Sequence, residues 1–235
     1  MLSSLRLFSI LYVVQSAVLQ KLENSYSFVV NVHVLTPSGL MGNCIGSLIS
    51  PTFVITAAHC GSEGQTGYVT VPSKNITSEI ATIHRFEKIN DQSPMKKDVA
   101  IVKLHTSISA VTPVKLSSFF DDLNAAVALL SYHKDTTTSR TMRMKLKHPE
   151  ECDRYGIYTP LYFCAGETEI STEAGDSGAP VIVESSVPTQ VGVVIGQQQL
   201  DQNNLSNGNL NPTVILKIPL FCDWIRNVTK GVRCI

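Results

Sequence analysis

The stretch that most constrains the fold of this chain is Gly-Asp-Ser-Gly-Ala-Pro at positions 175–180, which interrupts the hydrophobic pattern on either side. Two glycines flank one serine, and glycine adopts the positive φ angles of sharp turns without steric penalty. Such a turn lets the backbone N–H groups of Gly175 and Ser177 converge beside the Ser177 hydroxyl. The stretch therefore predicts either an ordinary loop or a nucleophile, and a nucleophile requires a base and an orienting acid elsewhere in the chain.

A candidate base lies in a predicted β-hairpin nearer the start of the chain. Two short apolar runs are separated there by a Ser-Pro pair at 50–51, which is a turn signal. Cys44 and Cys60 then face each other across the hairpin. A disulfide between them would fix the segment that carries His59, and a general base needs a fixed position.

The candidate acid is Asp98, which directly precedes a largely apolar run at 99–104. A carboxylate beside a buried strand is costly unless it accepts hydrogen bonds, and an imidazole N–H is a suitable donor. The alternative is a solvated aspartate at a strand start, next to Lys96 and Lys97. Position in the sequence does not decide between the two.

The remainder of the chain predicts a protein built mainly from β-strands. Short β-branched or alternating apolar runs predict strands at 27–35, 67–89, 109–116, 125–132 and 142–147,. The segment 221–229 predicts an amphipathic helix that ends before Gly231. His33 and His84 lie inside strand-like runs and are predicted to be structural, because no second ligand stands nearby at metal-binding spacing.

Charge and hydropathy exclude several classes of function. Nineteen basic residues balance nineteen acidic ones, so no overall field favours nucleic acid or an anionic membrane as a partner. Residues 1–17 predict a secretory signal, with Arg6 before an apolar run at 7–14 and small residues after it. That run is too short to span a membrane, which takes about 20 apolar residues. We therefore expect a secreted, extracellular protein.

The cysteines support an oxidising compartment. There are six in 235 residues, and disulfides persist mainly in secreted proteins. Cys152 and Cys164 bracket a short loop, which predicts a second bridge; a pairing of Cys222 with Cys234 is a hypothesis only. Acceptor sequences for N-glycosylation begin at Asn75, Asn204 and Asn227,.

The order His59, Asp98, Ser177 supplies the parts of a nucleophilic site, and each residue stands in a short motif that resembles the chymotrypsin-like serine endopeptidases. The motifs are Thr-Ala-Ala-His-Cys at 56–60, Asp-Val-Ala-Ile-Val-Lys-Leu at 98–104, Phe-Cys-Ala-Gly at 163–166 and Gly-Asp-Ser-Gly-Ala-Pro at 175–180. Similarity extends to Cys-Ile-Gly-Ser-Leu-Ile at 44–49 and to 217–225. It therefore covers nearly the whole of 18–235.

The resemblance implies an all-β fold of two packed six-stranded antiparallel β-barrels with a C-terminal helix. The peptidase domain would be 18–235, with the boundary between its barrels near 117–124. Neither a cofactor nor a metal is expected. The partners implied are protein or peptide substrates and a protein inhibitor, with no nucleic acid and no membrane, for a protein that is a monomer.

The same resemblance implies a role for each site residue. His59 would be the general base, Asp98 would orient it, and Ser177 would attack the scissile carbonyl. Gly175 and Ser177 would donate the hydrogen bonds of the oxyanion hole. The implied disulfides are 44–60, 152–164 and 222–234.

Departures from the family pattern concern the specificity pocket. The position that usually carries a bridging cysteine four residues before the serine is Glu173, and 197–211 has no cysteine. Ser171 would form the floor of the pocket, where enzymes that cut after Lys or Arg carry an aspartate. Thr213 replaces a glycine on the wall. The pocket is therefore expected to accept small or medium apolar side chains.

The N-terminal region departs further. Family members are activated when a freed terminal amine pairs with the aspartate before the serine, here Asp176. No Ile-Val-Gly-Gly-like sequence is present, and one hypothesis is that signal removal exposes Val18 for this role. The alternative function is a catalytically weak homologue that acts as a binding or regulatory protein.

Overall fold

The computed structural model describes residues 26–62, 64–86, 97–122, 125–132, 138–166, 172–198 and 211–235. The predicted signal segment at 1–17, Val18, Ser171 and Asn204 lie outside these residues. Within the described ranges, no helix combines the length and the apolar character needed to span a membrane.

The described residues form thirteen strands and two α-helices. The strands are β1 Val29–Leu35, β2 Met41–Ser50, β3 Phe53–Thr56, β4 Gly67–Val71, β5 Ile76–Arg85, β6 Ala100–Leu104, β7 Lys115–Leu116, β8 Ala126–Tyr132, β9 Ser139–Lys145, β10 Tyr162–Ala165, β11 Pro180–Val183, β12 Thr189–Gln197 and β13 Thr213–Lys217. The α-helices are α1 Pro149–Arg154 and α2 Cys222–Thr229, and 3-10 helices occupy Ala58–Cys60, Pro72–Lys74 and Ile218–Phe221.

The first six strands close into an antiparallel barrel. Their order around it is β1, β2, β3, β6, β5, β4, and β1 pairs with β4 to complete the ring. The β-branched residues that predict these strands fill the interior: Val30, Val54 and Ile55 are fully buried. Val and Ile stand well on a pleated surface, so strand propensity and core packing agree here.

The later strands form a second barrel-like sheet. Their order is β10, β13, β12, β11, β8, β9, with the short β7 lying parallel beside β12. A bridge between Leu146 and Ala165 brings the end of β9 back to β10, and the Lys147 amide donates to the Cys164 carbonyl at 2.9 Å. The predicted fold of two six-stranded antiparallel units with a C-terminal helix is confirmed.

The chain passes from one barrel to the other between β6 and β7. β6 ends at Leu104 in the first barrel, and β7, at Lys115–Leu116, already pairs with β12 of the second. The boundary predicted near 117–124 lies just beyond β7 and stays a prediction, because residues 123 and 124 are outside the described ranges.

Buried polar contacts join the two barrels. The Ser47 hydroxyl on β2 donates to the Gln190 side-chain oxygen on β12 at 2.6 Å, and both residues are fully buried. The Tyr132 hydroxyl donates to the Val29 carbonyl at 3.2 Å. Burial raises the pKa of Tyr132 to about 12, so its phenol keeps its proton at neutral pH and remains a donor. Buried polar groups are costly when unpaired, so these contacts favour one arrangement of the barrels.

The structure contains the three disulfides named above. They join Cys44 to Cys60, Cys152 to Cys164, and Cys222 to Cys234. The first closes a loop with a sequence separation of 16 residues. Closing a loop of that size lowers the conformational entropy of the unfolded chain and so raises the free energy of unfolding by about 3 kcal/mol. It also attaches the segment around His59 to β2.

Candidate active site

The segment around Ser177 is a tight turn whose backbone requires glycine. The Asp176 amide donates to the Glu173 carbonyl at 3.1 Å, which closes a four-residue turn. Gly175, the third residue of that turn, has φ +107°. Ala174, the second residue, is not among the residues with a positive φ, and a positive φ at the third position alone is typical of a type II turn. The central peptide of a type II turn is flipped relative to type I, so this conformation sets the direction in which the Gly175 N–H points.

At Gly178 the same segment lies so close to the first barrel that a side chain would not fit. Its φ is +84°, and a Cβ built on it would lie 2.0 Å from the Ile45 carbonyl oxygen and 2.2 Å from the Thr56 hydroxyl oxygen. The Ile45 amide in turn donates to the Ser177 carbonyl at 2.8 Å. Since Thr56 ends the strand that leads to His59, this contact brings the serine turn and the histidine segment together.

Pairing between β3 and β6 brings His59 and Asp98 to the same end of the first barrel. Thr56 at the end of β3 pairs with Ala100 at the start of β6, so the residues just after one and just before the other are neighbours. His59 Nδ1 lies 2.6 Å from Asp98 Oδ2, and the His59 amide donates to Asp98 Oδ1 at 2.8 Å. The carboxylate thus contacts both the ring and the backbone of His59.

These contacts determine the tautomer of His59. An ionised carboxylate accepts hydrogen bonds and does not donate them, so Nδ1 must carry the proton and Nε2 presents a lone pair in the neutral ring. The side chain of His59 is 45% exposed and that of Asp98 is 15% exposed. His59, which carries the basic nitrogen Nε2, is therefore the more exposed residue of the pair. Proton transfer to and from a substrate requires such exposure.

Ser177 is half-buried, and the described residues show no hydrogen bond between it and the His59–Asp98 pair. Within the described part of the chain, no hydrogen bond links the Ser177 hydroxyl to the His59 ring, and neither the Gly175 nor the Ser177 amide donates to a protein acceptor. Hydrogen bonds between nucleophile and base are often long in a free enzyme and shorten when substrate binds. Two N–H groups and one hydroxyl thus have no hydrogen-bond partner among the described residues.

Asp176 is buried between the two residues that carry those N–H groups. It is 3% exposed. Its Oδ1 accepts from the Ser131 hydroxyl at 2.5 Å, and its Oδ2 accepts from the Glu173 amide at 2.7 Å and from Arg140 Nη1 at 3.4 Å. Neither Ser131 nor Arg140 was predicted as a site residue, because only the pairing of β8 with β9 shows that they lie opposite each other.

The region expected to form the specificity pocket contains a chain of polar contacts. Thr213 is fully buried and Thr172 is 3% exposed, and their hydroxyl oxygens are 3.1 Å apart. The side-chain amide of Gln197, at the end of β12, donates to the Thr172 carbonyl. Ser171, the predicted floor of the pocket, is outside the described residues. Sequence reasoning did not identify Gln197 or Thr172.

One cluster in the described residues has ligand atoms close enough together to hold a metal ion. It consists of Cys44, His59 and Cys60, whose ligand atoms lie within 4.8 Å of one another. Both sulfurs form one disulfide, and a metal-binding cysteine must be a thiolate. The cluster is therefore unsuited to a metal while that disulfide is intact.

His33 and His84 lie apart from these contacts. The His33 ring stacks on Tyr68 with centroids 4.5 Å apart, and its Nδ1 lies 2.6 Å from Asn43 Oδ1. His84 Nε2 lies 2.8 Å from the Thr82 hydroxyl oxygen. Both histidines have partners on neighbouring strand positions, which supports the structural role predicted for them.

A family model and individual known proteins both match this chain over most of its length. The sequence model of the family described as Trypsin matches residues 20–225. Factor V activator from Macrovipera lebetinus is 24% identical over 229 residues, which are 88% of this chain and 85% of that protein. Chymase from Canis lupus familiaris is 25% identical over 228 residues, which are 88% of this chain and 86% of that one.

A solved structure is similar in fold. The crystal structure of scabies mite inactivated protease paralogue S-I1 superposes with a TM-score of 0.72 at 21% sequence identity, and the similarity covers 88% of this chain and 96% of that chain. At this level of identity the likeness concerns the arrangement of the strands and not the chemistry of the site.

Proposed function

The chain belongs to the trypsin family, and from that premise we propose that it is a secreted serine endopeptidase with His59, Asp98 and Ser177 as its catalytic triad. The observation that carries the proposal is the double contact of Asp98 with the ring and the backbone of His59, at 2.6 Å and 2.8 Å. The family acts on proteins or peptides, so the substrate is a peptide bond.

The reaction follows from the protonation states described above. Ser177 Oγ attacks the scissile carbonyl carbon as its proton passes to His59 Nε2, and Asp98 stabilises the imidazolium that forms. The imidazolium then gives its proton to the leaving amine as the carbon–nitrogen bond breaks. Water, deprotonated by the same Nε2, attacks the acyl-enzyme and releases the acid and the free serine.

The oxyanion of each tetrahedral intermediate is held by the amides of Gly175 and Ser177. The type II turn at Gly175 and the lack of a protein acceptor for either amide in the described residues support this assignment. A donor of this kind contributes about 10²–10³ in kcat when it is aimed at the developing charge.

A test of the triad is covalent labelling with a fluorophosphonate probe. We expect the secreted protein to be labelled at Ser177, and Ser177→Ala to abolish both labelling and peptide hydrolysis, because the nucleophilic oxygen is removed. Ser185→Ala is the control, since Ser185 lies in the turn after β11 and its hydroxyl donates to the Val187 carbonyl. Labelling that survives Ser177→Ala would refute the assignment.

The proposed primary specificity is for small or medium apolar side chains. Thr213, which is fully buried, would occupy the wall of the pocket, and the Gln197 side chain, whose amide donates to the Thr172 carbonyl, would lie beside it. Both residues would then narrow the space for a substrate side chain. Ser171 would leave the floor without the carboxylate that a lysine or arginine side chain needs.

Gln197→Gly is therefore expected to widen the pocket. The ratio of kcat/KM for a peptide with phenylalanine at the cleavage position to that for one with alanine should rise about tenfold or more, which is the effect of one or two methylenes of pocket space. The neighbouring Gln198→Gly serves as the control. An unchanged ratio in Gln197→Gly would show that this side chain does not limit the pocket.

Disulfides and exposed sequons support secretion. The three disulfides need an oxidising compartment to form,. Asn75 and Asn227 are exposed, so two of the three candidate glycosylation sites are open to modification.

The second candidate is a protease homologue that binds without cleaving. It is favoured by the lack of a Ser177–His59 hydrogen bond in the described residues and by the Gln197 side chain, which donates to the Thr172 carbonyl in the region expected to form the pocket. The labelling experiment separates the two functions, because a protein of this second kind would bind peptide while Ser177 remained unlabelled.

A further inference from the structure

We propose that Arg140 is a positioning residue. It supplies the cation that holds the buried Asp176 carboxylate, so that the turn at 173–176 and the following Ser177 do not depend on a chain-terminal amine for their conformation. This inference rests on the proposed function for its effect on activity. Arg140 touches neither substrate nor the reacting atoms and acts through Asp176.

The first argument is the burial of Asp176. An ionised carboxylate that is 3% exposed is strongly disfavoured unless a cation and hydrogen-bond donors surround it. The Ser131 hydroxyl, the Glu173 amide and Arg140 provide these groups from within the described chain. An arginine guanidinium is a permanent cation in proteins.

The second argument is that a rigid element holds Arg140 in place. Ser131 on β8 and Arg140 on β9 are directly opposite in the antiparallel register, and residues paired in this way extend to the same face of a sheet. Both contact the Asp176 carboxylate. Strand pairing thus presents two partners of Asp176 side by side on the same sheet.

The third argument connects this contact to the catalytic turn. Asp176 stands between the two proposed oxyanion donors, and its Oδ2 bonds the Glu173 amide at the start of the turn. Arg140 Nη1 lies 3.5 Å from Glu173 Oε1 and 3.4 Å from Asp176 Oδ2. The Arg140 side chain is 20% exposed, against 56% for Glu173 and 4% for Asp176, so the contact with Asp176 is the less screened of the two.

Arg140 also contacts Glu173, at the first residue of the turn. The family usually has a disulfide cysteine at this position, and here the residue is a glutamate beside the same arginine. Arg140 therefore links both ends of the turn to β9. The link is electrostatic, where a disulfide would make it covalent.

The test compares Arg140→Met and Arg140→Lys with the unaltered secreted protein. Arg143→Met is the matched control, because Arg143 lies on the same strand, pairs with Glu184 at 2.8 Å and is 61% exposed. The measurements are the rate of fluorophosphonate labelling at Ser177, kcat and KM. A further preparation carries a short uncleaved peptide on its mature N-terminus, verified by mass spectrometry, which removes any terminal amine from the Asp176 region.

We expect the blocked N-terminus to change the labelling rate less than about twofold. Arg140→Met should lower labelling and kcat about 100-fold, the effect of misplacing one oxyanion donor, with a smaller change in KM. Arg140→Lys should recover most of that loss, and Arg143→Met should have no effect. Loss of labelling on blocking the N-terminus, or full activity in Arg140→Met, would overturn the proposal.

A second measurement keeps this inference separate from the proposed function. If the unaltered protein is not labelled at all, the proposed function has failed, and hydrogen exchange of the peptide covering 172–179 then decides the role of Arg140. Exchange about tenfold faster or more in Arg140→Met than in Arg143→Met, with both proteins folded by thermal melting, supports the positioning role. Equal exchange in the two variants would refute it.

Discussion

Asp98→Asn is expected to lower kcat about 10⁴-fold, with little change in KM, by forcing His59 into the wrong tautomer. Asp98 accepts from the His59 amide with one oxygen and from the ring with the other, at 2.8 Å and 2.6 Å. A carboxamide has a single oxygen. If that oxygen keeps the backbone bond, the NH₂ group faces Nδ1, and the ring proton moves to Nε2, where it blocks proton uptake from Ser177.

The measurement is steady-state kinetics with a peptide that the unaltered protein cleaves. Asp223→Asn is the control, because Asp223 lies on α2 and pairs with Arg226 on the surface, with its side chain 87% exposed. A loss of less than about tenfold in Asp98→Asn would contradict the proposed role of Asp98, since tautomer control would then contribute little to the rate.

Gly178→Ala is expected to lower the free energy of unfolding by about 4 kcal/mol. An L-residue held at φ +84° is strained, at a cost of roughly 1–2 kcal/mol. Overpacking costs about 1–3 kcal/mol more, because the new methyl group would lie 2.0 Å from the Ile45 carbonyl oxygen. The strand that receives this clash also bonds Ser177, so activity should fall together with stability.

Gly39→Ala is the control that separates strain from packing. Gly39 has φ +80°, almost the same as Gly178, but a Cβ there has no neighbour within 4 Å. Urea denaturation of the two variants should therefore differ by about 2 kcal/mol or more. Equal midpoints would show that the contact between Gly178 and β2 relaxes without penalty.

Local patterns in the sequence predicted much of the fold because each strand carries its own signal. The alternation of Met142 and Met144 with Arg143 and Lys145 predicts a one-sided strand, and β9 buries the methionines and exposes the charged residues. The run at 67–89 contains β4 and β5 with a 3-10 turn at Pro72–Lys74 between them. Asn75, directly after this turn, adopts the left-handed conformation with φ 51°.

The contacts of the candidate site also differ in whether a local sequence motif predicts them. The glycine turn and the His59–Asp98 contact each rest on a short motif, so the sequence predicted them. The roles of Arg140 and Gln197 depend on contacts with Asp176 and Thr172, which lie far away in the sequence, and a lone arginine or glutamine has no local signature of its partner. Helix α1, Pro149–Arg154, was also missed, because six residues hold too little periodicity to distinguish a helix from a loop.

The buried bond between Ser47 and Gln190 has a consequence for motion. At 2.6 Å, with both residues fully buried, it joins β2 to β12 where water cannot replace it. The Gln190 amide also donates to the Gly192 carbonyl at 3.0 Å, so the glutamine itself is held. Opening the molecule like a hinge would break these bonds without compensation. The two barrels are therefore expected to move as one rigid body.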